Sequence, residues 1–226
     1  MKQIFHDRKH AGRLLATQLQ KLQHIIKLDR MNSLILALPR GGVPVAIEVA
    51  HVLNIPMDIL VVRKIGHPYQ PEYGIGAMTE EGYYWTDPGA VSVSDIQPLQ
   101  IQQMVEKETL EVARRIKKYR NDRPLPSLVD KTILLVDDGL ATGVTARVAA
   151  QYVRSKGAQR IILAVPIAPD TTAQSQPVEF DDIICFQQSP TLLAVSQFYL
   201  NFSQVTDQEV LDIMKTRSAK MRESYI

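Results

Sequence analysis

Several patterns that mark secreted or membrane-spanning proteins are missing from this sequence of 226 residues. Cysteine occurs once, at Cys185, which excludes an internal disulfide framework and fits a reducing compartment. No uninterrupted apolar run approaches the roughly 20 residues that cross a membrane. Residues 1–8 lack the apolar core of a signal peptide. We therefore expect a cytoplasmic protein with no membrane partner.

An excess of one charge sign is also missing. The 26 Lys and Arg residues nearly balance the 24 Asp and Glu residues, so the formal net charge of +2 gives no argument for nucleic acid. One basic group lies at the end of a helix predicted over residues 95–120: Arg114, Arg115, Lys117, Lys118, Arg120 and Arg123. Because no aromatic residues interleave with these cations, we interpret them as a solvated helix end rather than a phosphate track.

Apolar segments that alternate between strand and helix patterns predict a parallel α/β sheet. The strands are expected to be buried on both faces, because they are continuous apolar runs rather than alternating ones. The predicted strands cover residues 33–38, 57–62, 133–136, 160–166 and 182–186. The predicted helices cover residues 11–28, 43–53, 95–120, 146–153 and 206–222.

Residues 63–98 interrupt this alternation with a long, irregular segment. It contains Pro68, Pro71 and Pro88, and segments of this length are usually functional lids or disordered loops. Within it, residues 74–78 and 83–85 are predicted to form a small β-ribbon. We therefore expect a lid or insertion over 63–98.

The segment 133–145 combines a buried strand, two carboxylates and a loop rich in Gly and Thr before a helix. Backbone N–H groups at the helix N-terminus suit a phosphate. Asp137 and Asp138 would repel that phosphate, so they need hydroxyl donors or a cation instead. A phosphate beside a diol describes a ribose 5-phosphate. The alternative is an acid pair that caps a helix beside an ordinary turn.

This segment resembles the phosphoribosyl pyrophosphate (PRPP) motif of the type I phosphoribosyltransferases, in which an apolar strand, two acids and Thr-Gly-x-Thr follow in order. The resemblance implies that the acid pair holds the ribose diol. It also implies that the pair holds Mg²⁺, by way of PRPP or water. It implies that the following loop holds the 5-phosphate. The PRPP-binding residues expected here are Asp137, Asp138, Gly139, Ala141, Thr142, Gly143 and Thr145.

The stretch Pro39-Arg40-Gly41-Gly42 is similar to the pyrophosphate loop of the same family. Gly41 and Gly42 allow close approach of an anion to the backbone, and Arg40 can form two hydrogen bonds to phosphate oxygens. The resemblance also implies a cis peptide bond between Pro39 and Arg40. The alternative is a plain strand-to-helix turn.

Arg63 and Lys64, followed by Glu72-Tyr73-Gly74, resemble the mobile catalytic loop of adenine phosphoribosyltransferases, with changed spacing. The resemblance implies that the two cations stabilise the departing pyrophosphate, and it favours a purine-like base. Many family members have an acid where this chain has Ala141, so the general base must lie elsewhere, and Glu72 is the candidate. The alternative is a basic pair that ends a strand in solvent.

The chain as a whole resembles this family. The resemblance implies a single domain over residues 1–226, with a Rossmann-like, five-stranded, mainly parallel sheet, helices on both faces and a small hood from the chain ends and insertions. Asp7-Arg8-x-x-Ala11-Gly12 is similar to the start of a poorly characterised bacterial branch. The aromatic candidates for stacking on a base, each with core packing as the alternative, are Phe5, Trp85, Phe198, Tyr199 and Phe202.

The resemblance implies an Mg²⁺-assisted pentosyltransferase of nucleotide salvage, which transfers phosphoribose from PRPP to a nitrogenous base. Homodimers are common in this family. A PRPP-sensing regulator without turnover is the second hypothesis, and hydrolysis of a ribosyl phosphate is the third. The presence of Arg63, Lys64 and Glu72 favours a catalysed transfer over a PRPP-sensing regulator.

Overall fold

The structure, a computed structural model, describes residues 4–70, 73–171 and 177–223. The helices are α1 (Arg8–Leu22), α2 (Gly42–Leu53), α3 (Pro88–Val93), α4 (Pro98–Arg120), α5 (Val144–Ser155) and α6 (Asp207–Glu223). The strands are β1 (Ser33–Ala37), β2 (Met57–Ile59), β3 (Arg63–Gly66), β4 (Gly74–Met78), β5 (Tyr84–Thr86), β6 (Thr132–Val136), β7 (Arg160–Pro169) and β8 (Asp182–Ser189). Two short 3₁₀ helices cover Glu80–Gly82 and Val195–Phe198.

Five strands form one parallel sheet in the order β2-β1-β6-β7-β8. The prediction of a five-stranded, mainly parallel sheet is confirmed. The chain runs from β1 to β2 on one side and later returns to β6 on the other side of β1. The carboxyl ends of β1 and β6 therefore border a topological switch point, where open α/β sheets bind their ligands.

Alternate residues of the central strands supply two separate cores. Ile35, Leu134 and Ile162 face a cluster that includes side chains of α1, α2, α4 and α6. Leu36, Leu135 and Leu163 face a second cluster built around α5. Both faces of the sheet are covered by helices, which is why every residue of β1 and β6 is buried.

A second, antiparallel sheet of the order β3-β4-β5 lies in the region predicted as a lid. The β-ribbon of β4 and β5 was predicted, but β3 and α3 were not. The strand predicted over 57–62 ends at Ile59, because side chains take over its next hydrogen bonds. Val61 donates to Glu80 and accepts from Thr79, which turns the chain out of the large sheet.

Helix boundaries differ most at α1. It ends at Leu22 rather than residue 28, and the chain turns through Lys27 at a φ of 52°. Ile25, which lies inside the predicted helix range, is in this turn and is 73% exposed. Within the described residues, no helix combines the length and apolar character needed to cross a membrane.

Candidate active site

The loops that follow β1 and β6 lie side by side at the carboxyl edge of the sheet. Ala37 is in register with Val136, and the N–H of Leu38 donates to the carbonyl of Val136 at 2.9 Å. The peptide bond between Pro39 and Arg40 is cis, as the resemblance implied. The structure thus brings residues 39–42 next to the two carboxylates that follow β6.

Gly41 packs directly on the acid pair. A Cβ built on Gly41 would overlap Oδ2 of Asp138, and one on Gly42 would crowd the carbonyl of Val136. No larger residue fits at Gly41 unless the Asp138 side chain moves. The four residues predicted from two separate motifs, Gly41, Gly42, Asp137 and Asp138, therefore form one contiguous cluster.

Burial dominates the electrostatics of the two acids. It raises the pKa of Asp137 well above its ordinary value, and the charge of Asp138 raises it further. Burial also raises the pKa of Asp138, but the Arg8 guanidinium opposes that effect. The backbone N–H of Asp138 donates to Oδ1 of Asp137 at 2.8 Å. The two carboxylates therefore have different surroundings, because Asp138 is hydrogen-bonded to the cation of Arg8.

Arg8 was not predicted as a site residue. Its Nε donates to Oδ2 of Asp138 at 2.7 Å, and its Nη1 donates to the carbonyl of Ser203 at 2.7 Å. Its guanidinium carbon lies 3.8 Å from the ring centroid of Phe202. The sequence placed Arg8 in a recognisable N-terminal pattern, but a contact across 130 residues has no local signal.

The predicted phosphate loop leads into α5. Gly143 precedes the helix with a φ of 74°, a left-handed conformation that favours glycine. The loop borders a cavity of about 210 Å³, lined among others by Leu140, Ala141, Thr142, Gly143, Arg147 and Phe180. Thr145 lies in the first turn of α5. An anion in this cavity would meet the positive end of the helix dipole.

Arg147 is a second cation that sequence reasoning missed. It lies in the first turns of α5, lines the cavity at the phosphate loop and donates to Glu179 at 2.9 and 3.0 Å. Its guanidinium carbon also lies 5.4 Å from the ring centroid of Trp85. Its position one helical turn after Gly143 was the available signal.

Arg40 is tied to the far end of the chain. Its Nη1 lies 3.6 Å from Oδ1 of Asp207, the first residue of α6. Asp207 also accepts from Tyr119 at 2.5 Å, from Arg114 at 3.1 Å and from Lys118 at 3.0 Å. Burial raises the pKa of Asp207, but these hydrogen bonds outweigh it and hold the pKa well below its usual range.

The basic end of α4 is largely engaged by carboxylates of the same chain. Arg114 and Lys118 contact Asp207, as described above. Three further pairs join Arg115 to Glu111, Arg120 to Glu80 and Arg123 to Asp58. The interpretation as a simple solvated helix end is therefore incomplete, because these cations hold α4 to α6, the 3₁₀ helix Glu80–Gly82 and β2.

The two lid cations lie on β3 rather than on an irregular loop. Arg63 donates from Nε to Glu108 of α4 at 2.8 Å, whereas Lys64 is exposed. Both cations border a cavity of about 520 Å³, lined among others by His67, Met104, Lys107 and Glu108. Glu72, the candidate general base, lies outside the described residues.

Three of the aromatic candidates for base stacking are core residues. Phe5, Phe198 and Tyr199 are buried and pack in a cluster of their own. Phe202 supports the guanidinium of Arg8, and Trp85 lies near Arg147. Packing, rather than exposure to a ligand, therefore accounts for Phe5, Phe198 and Tyr199.

Comparisons with known proteins agree with this geometry. The family model described as "Phosphoribosyl transferase domain" matches residues 7–203. A Mycobacterium tuberculosis (strain H37Rv) protein provisionally named as a phosphoribosyl transferase is 39% identical over 208 residues, which are 92% of this chain and 46% of that protein. The chain thus spans about half the length of the curated relatives it matches. Both loops of the candidate site lie within the matched residues.

Solved structures extend the similarity to the fold. A crystal structure of the protein TT1426 from Thermus thermophilus has a TM-score of 0.74 and 33% identity, and the match covers 93% of this chain and 97% of that one. A Neisseria gonorrhoeae protein crystallised with bound ppGpp has a TM-score of 0.50 and 13% identity, over 84% and 85% of the two chains. The second likeness concerns the fold alone.

Proposed function

The chain belongs to the phosphoribosyl transferase domain family, and we propose that it transfers 5-phosphoribose from PRPP to a nitrogenous base with release of pyrophosphate. A purine-like base is the favoured acceptor, from the likeness of Arg63, Lys64 and the segment after them to adenine phosphoribosyltransferases. Such an enzyme would be a pentosyltransferase of nucleotide salvage. We take residues 1–226 as one cytoplasmic domain that forms homodimers, as is common in this family.

The contact between Gly41 and Asp138 is the observation that carries the proposal. It joins a loop able to bind pyrophosphate to a carboxylate able to bind a ribose diol, at the switch point of the sheet. The cavity lined by residues 140–143 at the start of α5 is the place to which we assign the 5-phosphate. Pyrophosphate, ribose and phosphate are the three parts of PRPP, and we assign each of them to one of these three features.

Mg²⁺ fits the acid pair as an ion shared with the substrate. Asp137 and Asp138 are carboxylates, which this cation prefers. Among the described residues, no group of three or more His, Cys, Asp or Glu could hold a metal on its own. We therefore assign Mg²⁺ to the acid pair through PRPP oxygens or water, where the bound ion would neutralise charge on the pyrophosphate.

The transfer breaks the bond between the anomeric carbon and the pyrophosphate oxygen and forms a bond to a nitrogen of the base. Negative charge grows on the leaving pyrophosphate, and we assign Arg40, Arg63 and Lys64 to its stabilisation. Backbone N–H groups at Gly41 and Gly42 would contribute donors to the same group. The proton lost by the base goes to a general base or to solvent, and Glu72 remains the proposed acceptor.

The decisive experiment measures PRPP binding by calorimetry with Mg²⁺, followed by pyrophosphate release with a panel of bases. We expect saturable PRPP binding, and turnover with one class of base. The variant Asp137→Asn/Asp138→Asn should lose PRPP binding, because it removes both carboxylate charges while keeping side-chain shape. The matched control is Asp122→Asn, an exposed residue in the left-handed region, where Asn is tolerated.

Three results separate the hypotheses. Pyrophosphate release that depends on a base supports the transferase and identifies its acceptor. PRPP binding without turnover on any base favours the sensing regulator, and pyrophosphate release without a base favours hydrolysis. Absence of PRPP binding by the wild-type protein would contradict both the transferase and the sensing regulator.

A further inference from the structure

The N-terminal pattern Asp7-Arg8-x-x-Ala11-Gly12 has no part in the function proposed above. In the structure, the first two residues of this pattern, Asp7 and Arg8, make different contacts. Asp7 caps α1, because its Oδ1 accepts from the backbone N–H of His10 at 2.8 Å. This cap fixes the start of the helix at Arg8, so the Arg8 side chain leaves from the first turn. The cap therefore determines where the guanidinium can reach.

The Arg8 guanidinium is held on three sides. One edge contacts Asp138 at 2.7 Å, another contacts the carbonyl of Ser203 at 2.7 Å, and one face lies 3.8 Å from the centre of Phe202. Only 10% of the side chain is exposed. A planar guanidinium can satisfy edge and face contacts together, whereas a lysine ammonium cannot. The position of Arg8 is therefore determined by geometry as well as by charge.

The segment that leads to Phe202 and Ser203 is hydrogen-bonded to the N-terminal residues. The carbonyl of Phe198 accepts from Phe5 at 2.9 Å, and the carbonyl of Phe5 accepts from Leu200 at 2.8 Å. The hydroxyl of Tyr199 donates to the carbonyl of Asp138 at 2.6 Å. Residues 4–8 and 198–203 thus form one unit that contacts the side chain and the backbone of the same aspartate.

Asp138 is consequently enclosed from two directions. Gly41 approaches Oδ2 from the loop after β1, and Arg8 contacts the same oxygen from α1. An aspartate carboxylate has about four acceptor positions, so one hydrogen bond from Arg8 leaves positions for hydroxyl donors. An unrestrained Asp side chain would sample several rotamers. The two contacts restrict Asp138 to one orientation before any ligand binds.

We propose that Arg8 is a positioning residue that determines sugar selectivity, by holding the Asp138 carboxylate in the orientation that accepts the 2- and 3-hydroxyls of ribose. This inference rests on the proposed function, because it takes the acid pair as the ribose site. Arg8 acts through Asp138 and does not itself contact the sugar. Without Arg8, the site keeps its phosphate loop but discriminates poorly between ribose and 2-deoxyribose.

The test compares ribose 5-phosphate with 2-deoxyribose 5-phosphate by calorimetry. The variants are Arg8→Gln, Arg8→Lys and, as a matched control, Arg13→Gln on the exposed face of the same helix. Arg8→Gln should weaken ribose 5-phosphate binding by about 10- to 100-fold, the range for loss of a charge-assisted hydrogen bond. Binding of 2-deoxyribose 5-phosphate should weaken by a clearly smaller factor, because this sugar keeps only the 3-hydroxyl as a donor to Asp138 and has less to lose.

The test is decided by the ratio of the affinity for ribose 5-phosphate to the affinity for 2-deoxyribose 5-phosphate. Arg8→Lys should give an intermediate ratio, since it keeps the charge but not the planar contacts, and Arg13→Gln should match the wild type. An equal loss for both sugars in Arg8→Gln would indicate a merely structural role and overturn the inference, as would an unchanged ratio. Wild-type protein that binds both sugars equally would also overturn it.

Two further results complete the design. If Arg8→Gln does not fold in a thermal unfolding experiment, Phe202→Leu decides, because it removes the stacking face while Arg8 and Asp138 remain. A lowered ratio in that variant supports the inference, and an unchanged ratio overturns it. Wild-type protein that binds neither sugar phosphate contradicts the proposed function and the inference together, whereas a failure confined to Arg8 variants contradicts the inference alone.

Discussion

The guanidinium of Arg40 lies 3.6 Å from the carboxylate of Asp207, which joins the loop after β1 to the start of α6. Asp207 is also the shared acceptor for Arg114, Lys118 and Tyr119 of α4. One carboxylate therefore connects the proposed pyrophosphate loop with two helices. Bound pyrophosphate and Asp207 would compete for the cation of Arg40. This contact therefore couples the stability of the folded protein to the binding of pyrophosphate.

Asp207 should stabilise the protein chiefly above acidic pH. Its folded pKa lies below its unfolded value, so its contribution is complete above the ordinary aspartate pKa of 3.8 and is lost as pH falls towards the folded value. Asp207→Asn should therefore lower the free energy of unfolding at pH 7 by about 1–3 kcal/mol, and by less at pH 3. Urea unfolding at both pH values measures this, with the exposed Asp212→Asn as control. An equal loss at both values would contradict the prediction.

Gly41→Ala should disable PRPP binding more than folding. The added methyl group overlaps Oδ2 of Asp138, so the carboxylate must leave the position that Arg8 and the loop define. We expect at least about 100-fold weaker PRPP binding, and a stability loss of about 1–3 kcal/mol for overpacking. Gly89→Ala is the control, because its Cβ would meet only Asp87 Oδ1, at 3.2 Å. PRPP affinity that is unchanged in Gly41→Ala would show that Asp138 can move without effect.

Arg63→Gln should reduce turnover while leaving PRPP affinity nearly unchanged. The proposed role of Arg63 lies in stabilising charge on the leaving pyrophosphate, which grows only in the transition state. A loss of about 10- to 1,000-fold in kcat is expected from removal of one such donor. Pyrophosphate release measures kcat, and calorimetry measures PRPP affinity.

Glu108→Gln provides the comparison for that experiment. It weakens the ion pair that holds Arg63 on α4 but leaves the guanidinium available. It should therefore retain most of the turnover that Arg63→Gln loses. If both variants lose kcat equally, the ion pair rather than the cation is what catalysis requires.

Removing one partner of the buried ion pair between Arg120 and Glu80 should lower the free energy of unfolding strongly. Replacing both partners should lower it much less. Only 1% of the Arg120 side chain and 6% of the Glu80 side chain are exposed. Glu80→Gln leaves the arginine charge without its counter-ion, so we expect a loss of about 3–5 kcal/mol in the free energy of unfolding. The variant Glu80→Gln/Arg120→Met should recover much of that loss, because no buried charge remains unpaired.

A double-mutant cycle by urea denaturation measures this coupling. The exposed pair of Arg154 and Asp181 serves as the control, because ion pairs in solvent contribute about 0–1 kcal/mol. A similar small coupling for both pairs would contradict the prediction.

Local patterns predicted the large sheet well. Runs such as residues 133–136 are apolar at every position, as a strand covered on both faces requires. The small sheet was predicted only in part, because β3 has the sequence Arg-Lys-Ile-Gly, which has no strand-like alternation. Its pairing with β4, rather than its own composition, makes it a strand.

The sequence by itself determined the parallel sheet, the order of its motifs and the presence of an acid pair beside a loop at a helix start. Each of these is expressed within a few adjacent residues. Only the tertiary structure decided that Arg8 would contact Asp138, that Arg40 would contact Asp207 and that Arg63 would pair with Glu108. Such contacts join residues far apart in the chain, and the geometry that pairs them exists only after the sheet and its helices have packed.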